Sequence, residues 1–280
     1  MKTFNVGLVG YGKMGKIFAK EIKKKSQFKL VDILTKKKIK NGSRKINDFF
    51  NSKNINLFII ASPIETHLKY LKLAYKANKN IIIEKPVVKD LNQLKQLSKI
   101  NKNYKKKIAI HHNDVLNFEK FKVLNKFFKF KNINKIKMIY GKNEKVNSYK
   151  KPFIDWLPHP LALIINFFGL PKKFHIINYS KKIKKGLVSE KLELAFDLNY
   201  FTIFVEFSNN LNVPTKKVII YNKSKKEIYN GYNKKNQKKE KLLLEKFYSK
   251  NKINDISSNL KMYELLFKIE DHLSKKNLNV

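Results

Sequence analysis

The sequence runs to 280 residues with 42% hydrophobic residues, 62 Lys+Arg against 21 Asp+Glu, a formal net charge of +41 and no cysteine. That length and apolar content suit two domains, while the lack of cysteine excludes disulfides, thiolate metal sites and cysteine nucleophiles, and no histidine–carboxylate cluster has metal-ligand spacing. The charge does not argue for a nucleic-acid partner, because Arg44 is the only arginine, the lysines are scattered, and solvated lysine faces in a chain of A/T-rich codons explain them.

Residues 3–10, TFNVGLVG, read as a short buried strand, and KMGKIFAKEIKKK follows with Met14, Ile17, Phe18 and Ile22 on one helical face. Between them lies G-x-G-x-x-G as Gly10, Gly12 and Gly15. Gly10 permits the tight turn, Gly12 removes the side chain that would block a pyrophosphate, and Gly15 lets the helix pack on the strand. The turn Gly10-Tyr11-Gly12-Lys13-Met14-Gly15 is therefore expected to hold a dinucleotide.

KLVDIL (29–34) is the next strand. A carboxylate about 20 residues beyond the glycines holds the ribose of NAD; here Thr35 stands at the strand tip, followed by Lys36, Lys37 and Lys38. A small hydroxyl beside cations suits a 2′-phosphate, so NADP is expected in preference to NAD, with Asp32, inside the strand, as the other ribose candidate.

The strand–helix alternation continues through INLFIIAS (55–62), a helix over 66–78, NIIIE (80–84), a helix over 90–100 and KKIAIHH (106–112). Strands apolar on both faces and separated by amphipathic helices imply a parallel, doubly wound sheet. Glu84-Lys85-Pro86 ends one of these strands at the edge where such sheets bind ligands. Residues 1–117 are expected to form this Rossmann domain.

After a helix near 117–130, the segments 135–141, 173–180, 192–208 and 216–222 are strand-like without intervening helices. Residues 118–280 thus read as an α+β domain with a mainly antiparallel open sheet, closed by helices at 240–250 and 258–275. The Lys/Asn-rich stretch 222–239 reads as a loop or hairpin. Within this half lies FIDWLPHPLALIINFFGLP (153–171). Pro158 and Pro160 are expected to forbid a helix through 155–160, leaving a helix at about 160–168 with Asp155, Trp156 and His159 on the turn entering it.

VGLVGYGKMG, IIASPIETH, IIIEKPVV and DWLPH before an apolar helix together resemble the glucose-fructose oxidoreductase / inositol dehydrogenase (Gfo/Idh/MocA) family over roughly residues 3–170. The resemblance implies a Rossmann domain followed by an open antiparallel sheet, and a hydride transfer between nicotinamide and a sugar, cyclitol or nucleotide-linked sugar. It places Lys85 near nicotinamide and substrate, implies a cis peptide before Pro86, and puts Ala61-Ser62-Pro63 beside the nicotinamide with His67 one helical turn on; read alone, His67 is equally a surface helix residue. It makes His112 and Asn113 substrate contacts, although Asp114-Val115-Leu116 departs from the aromatic or arginine-containing stretch of many relatives. Asp155 and His159 match the family's Asp-x-x-x-His, with His159 as proton carrier and Asp155 orienting substrate or imidazole. The structural alternative is that His159 caps the helix. A non-catalytic dinucleotide-binding sensor is the rival function. No apolar run approaches the roughly 20 residues that cross a bilayer, so a cytoplasmic protein with no membrane partner is expected, and the open sheet face offers a surface for homo-oligomers.

Overall fold

The computed structural model describes residues 3–36, 42–43, 45–103, 106–124, 133–147, 151–222, 226–232, 244, 247 and 256–277. The chain divides into two compact units, Met1–Asn113 with Lys238–Leu260 and Asp114–Gln237 with Lys261–Val280. Among the described residues no helix is long and apolar enough to cross a membrane.

The first unit alternates β1 (Phe4–Val9), α1 (Lys13–Ile22), β2 (Phe28–Leu34), the two-residue β3 (Gly42–Ser43), α2 (Ile46–Asn51), β4 (Leu57–Ile60), α3 (Ile64–Lys76), β5 (Asn80–Glu84), α4 (Leu91–Asn103) and β6 (Ile108–His111). The strands form one sheet in the order β3-β2-β1-β4-β5-β6, parallel throughout. Leu57, Phe58, Ile59 and Ile60 of β4 and Ile81, Ile82 and Ile83 of β5 are all fully buried. Consecutive residues point to opposite faces of a sheet, so strands buried at every position are covered on both sides. The strand order reverses at β1 and β4, whose carboxyl ends therefore open a crevice. Phe247 belongs to this unit, packing 5.5 Å from the Phe4 ring while its carbonyl accepts a 3.1 Å hydrogen bond from Lys107 Nζ. Of the helix expected at 240–250, all but Leu244 and Phe247 lies outside the described residues.

The second unit carries α5 (Asn113–Leu124), β7 (Ile133–Gly141), β8 (Val146–Asn147), α6 (Pro152–Trp156), α7 (Pro158–Leu163), β9 (Lys173–Lys184), β10 (Leu187–Asp197), β11 (Thr202–Ser208), β12 (Thr215–Asn222), β13 (Lys226–Asn230) and α8 (Ile256–Asn277). Its sheet runs β13-β12-β7-β11-β10-β8, with β9 pairing β10; β7 and β11 are parallel, the other pairs antiparallel. Alternate residues Ile136, Met138 and Tyr140 of β7 and Ile203, Val205 and Phe207 of β11 are buried. On the opposite face Lys137 pairs with Glu206 at 3.1 Å and Lys135 lies 4.7 Å from the Phe204 ring. The strands β9 and β10 are joined by Lys185 (φ 48) and Gly186 (φ 72). Two consecutive positive φ values make the primed turn that matches strand twist, and glycine takes the second at no steric cost. The Lys/Asn-rich stretch supplies β13, which pairs antiparallel with β12; 223–225 and 233–239 lie outside the described residues.

The helix expected at 160–168 is longer than its prolines suggested. Residues 152–163 are helical in two pieces, Pro152–Trp156 and Pro158–Leu163, and Ile164–Phe168 continue as a π-helical turn closed by Gly169 N–H donating to Ile164 O at 2.9 Å. Pro158 and Pro160 occupy the first turn of α7, where no backbone N–H has an intrahelical partner, and their fixed φ suits a helix. Leu157 between the pieces keeps helical angles (φ −60, ψ −31). The prolines therefore interrupt hydrogen bonding without diverting the chain. Asp155 and His159 accordingly lie within α6 and α7, rather than on a turn before them.

Candidate active site

The first unit holds a cleft of about 950 Å³ at the carboxyl ends of its strands. It is lined by Gly10, Tyr11, Gly12, Lys13 and Met14 of the glycine turn, though not by Gly15, and by Thr35, Lys36, Ala61, Ser62, Pro63, His67, Glu84, Lys85 and Pro86. Gly10 has φ +92, and a side chain there would meet Ala61 O at 2.6 Å. At Gly15 an added Cβ would lie 2.2 Å from Gly10 O, so only glycine lets α1 approach β1 this closely. A Cβ added at Gly12 would meet nothing within 4 Å beyond its chain neighbours. Gly10 and Gly15 are thus demanded by the fold itself, whereas Gly12 keeps space open. Helix α1 begins beside that space, with no side-chain cap and no acid in its first turn. Its free amide donors and positive dipole end suit a pyrophosphate.

Two histidines brace this cleft. His67 is buried at 2% exposure rather than on the surface of α3. Its Nδ1 lies 2.7 Å from Pro86 O and its Nε2 2.7 Å from Ser62 O, so one ring ties the turn after β4 to the turn after β5. His111, which sequence reading passed over, pairs through Nδ1 with Glu84, its register partner across β5 and β6. The Lys85–Pro86 peptide is cis, as the resemblance implied. His112 is buried, and Asn113 opens α5.

The second unit has its own buried polar cluster. His159 of α7 is 9% exposed. Its Nδ1 lies 2.6 Å from Asp114 Oδ2. Lys216 Nζ lies 3.0 Å from the same oxygen and 3.3 and 3.4 Å from His159 Nδ1 and Nε2. The sheet aims two of these contacts, since Lys216 of β12 stands opposite Tyr140 of β7 and such pairs share a face. Tyr140 stacks on His159, with ring centroids 6.2 Å apart. Trp156 lies tilted against the imidazole at 5.9 Å and donates through Nε1 to Glu144 Oε2 at 3.4 Å. Helix α6 is pinned from the sheet, where buried Glu190 of β10 accepts the Phe153 N–H at 3.2 Å and the Tyr179 hydroxyl at 2.9 Å.

Burial by itself pushes the Asp114 carboxyl up, but the charges of Lys216 and His159 and their hydrogen bonds outweigh it and hold it well below the usual carboxylate range. Burial, and then the Asp114 charge, raise the Tyr140 and Tyr229 hydroxyls, which stay neutral donors. Asp155, by contrast, is exposed on α6. The carboxylate at the imidazole comes from Asp114, the residue that marked a departure from the family pattern.

The parallel sheet with a glycine-lined cleft at the carboxyl ends of its strands is a dinucleotide-binding Rossmann fold, and a mixed, mostly antiparallel sheet follows it in the same chain. Residues 4–112, all within the first unit, match the family described as "Oxidoreductase family, NAD-binding Rossmann fold". The uncharacterized oxidoreductase YdgJ of Escherichia coli (strain K12) is 27% identical over 129 residues, which span 40% of this chain and 35% of YdgJ. Among solved structures, yvaA from Bacillus subtilis superposes with a TM-score of 0.77 at 14% identity, over 98% of each chain. The UDP-N-acetylglucosamine 3-dehydrogenase GnnA from Acidithiobacillus ferrooxidans gives 0.75 at 13% identity, over 96% of this chain and 97% of GnnA. At such identities the likeness is one of fold.

Proposed function

We propose that the chain is an NADP-preferring dehydrogenase or reductase acting on a secondary alcohol or carbonyl of a sugar, cyclitol or nucleotide-linked sugar. The observation that carries the reading is the buried His159–Asp114–Lys216 cluster in a chain whose Rossmann cleft is lined by Lys85. When bound, the dinucleotide supplies or accepts the hydride. In the oxidation direction His159 takes the hydroxyl proton as hydride leaves the same carbon; in reduction it returns that proton to the new alkoxide. The Lys85 ammonium donates a hydrogen bond that stabilises charge developing on the oxygen. GnnA, with its nucleotide-linked sugar, supports the substrate class by fold likeness.

Preference for NADP rests on the end of β2. Thr35 and Lys36 line the cleft, whereas Asp32 lines a separate cavity with Tyr11, Ala19 and Lys23 and accepts the Ile33 N–H at 2.6 Å. Residues 35–45 bring Lys36, Lys37, Lys38, Lys40, Arg44 and Lys45 and no carboxylate. A ribose-holding acid is therefore missing, and cations for a 2′-phosphate are plentiful. Replacing Thr35 and Lys36 together by aspartate is expected to weaken NADPH binding by at least ~10-fold, as loss of a charge-assisted hydrogen bond implies, and to strengthen NADH binding, both measured by cofactor fluorescence titration.

Native mass spectrometry of the gently purified chain tests the central reading, with retained NADP(H) expected. Absence of affinity for either dinucleotide would sink it. Retained cofactor without hydride transfer to or from UDP-N-acetylglucosamine, inositols or free sugars would point instead to a dinucleotide sensor.

A further inference from the structure

The family motif offers Asp155 as the partner of His159, yet the structure puts a different carboxylate against the ring. Asp114 enters from the first turn of α5, where a helix N-terminus favours negative charge. Two interactions converge on its Oδ2, from His159 Nδ1 at 2.6 Å and from Lys216 Nζ at 3.0 Å. Its other oxygen, Oδ1, is buried and has no hydrogen-bond partner among the described residues. A buried carboxylate kept only for folding spreads its bonds over both oxygens, because an unsatisfied buried acceptor is costly. This one commits a single oxygen to the imidazole and to the lysine.

We propose that Asp114 and Lys216 are the positioning residues of His159, with Asp114 holding the ring in the tautomer that carries hydrogen on Nδ1 and offers Nε2 as acceptor. The reasoning follows from the donor inventory. An ammonium has three donors and no acceptor, so Lys216 cannot receive the Nδ1 hydrogen; an ionised carboxylate is acceptor-only and can. Nδ1–H therefore donates to Asp114 Oδ2, and the lone pair falls on Nε2. Lys216 fixes the carboxylate through the same oxygen and neutralises its charge, while Tyr140 stacks on one side of the imidazole and Trp156 lies tilted against it. With the ring neutral the trio is charge-balanced, and the positive charge gained when the ring takes a proton is met by a carboxylate in contact with it. The functional weight of this arrangement rests on the reading of His159 as proton carrier; the tautomer does not.

The test uses the full chain labelled with 15N-histidine, and long-range 1H–15N correlation spectra recorded at mildly alkaline pH, with H159Q identifying the His159 signals. The wild-type ring is expected as the Nδ1–H tautomer. D114N, whose amide can turn a donor toward Nδ1, is expected to shift it to Nε2–H, and K216M, which keeps the carboxylate, is expected to leave Nδ1–H in place. A wild-type ring with hydrogen on Nε2, or a D114N spectrum identical to wild type, overturns the proposal. Should D114N fail to fold, the wild-type and K216M spectra decide alone. In turnover of UDP-N-acetylglucosamine with NADP+, D114N is expected to lower kcat by about 10²–10⁴-fold, the span general base catalysis supplies, with KM little changed. Loss of kcat and KM in proportion to lost folded protein, at an unaltered tautomer, would reduce Asp114 to a structural residue. No turnover by the wild type with a confirmed Nδ1–H ring would count against the dehydrogenase reading and leave the positioning intact.

Discussion

Lys85→Ala and His159→Ala are each expected to lose turnover by about 10²–10⁴-fold, the range for removal of a positioned proton donor or acceptor, while dinucleotide binding is retained. The expectation for Lys85 comes from its place at the carboxyl end of β5, lining the cleft between Glu84, which pairs with His111, and Pro86, whose carbonyl lies against His67. Those neighbours fix the backbone on either side, so truncating the lysine removes an ammonium without loosening the turn. His159 is not among the residues lining the Rossmann cleft, so its loss is expected to leave dinucleotide binding in place. Steady-state kinetics together with NADPH fluorescence separate the two effects: unchanged kcat in both variants would eliminate the proposed proton handling, and lost cofactor binding in both would place the residues in binding instead.

Gly12→Val is expected to abolish dinucleotide binding in a protein that still folds. Nothing lies within 4 Å of an added Cβ at Gly12, so the native fold accepts the side chain, which then fills the space a pyrophosphate needs beside the amides of α1. Gly15→Ala is the opposite case. Its Cβ would lie 2.2 Å from Gly10 O, and relief demands a backbone shift of the kind that costs about 1–3 kcal/mol or more. Thermal melts read alongside cofactor titration should therefore show Gly12→Val with a normal Tm and no binding, and Gly15→Ala with a lowered Tm. A destabilised Gly12→Val, or one that binds normally, would refute the division of labour.

Those glycines were legible because their constraint is local. A turn, a helix start and a strand end all fall within six residues, and the period of apolar positions names the elements on either side. The same holds for the parallel sheet, whose strands are apolar at every position, and for Glu84-Lys85-Pro86 at a strand end. Residues that meet only through the tertiary fold were not legible. Asp114 and His159 are neighbours in space but not in sequence, and Asp114 stood out merely as a departure from a family pattern. Lys216 hid in a lysine-rich background, although one signal was present: in TKKVIIYN it alternates with Val218 and Ile220, both buried, so it falls on the core-facing side of β12, where a lysine is unexpected. The helix through Pro158 and Pro160 misled for a different reason. A proline's effect depends on whether it sits in the first turn or the interior, and only the position of the preceding break decides that.

The depth at which Lys216 lies has a consequence in terms of reactivity. Exposed lysines such as Lys24 and Lys275, at 55% and 71%, offer their amines freely to an acylating reagent, whereas Lys216 shows only 11% of its side chain and holds it against Asp114. In a chain so rich in amines, this one is modified only when the β12 neighbourhood opens, so its rate of acylation acts as a clock for local unfolding of the second unit.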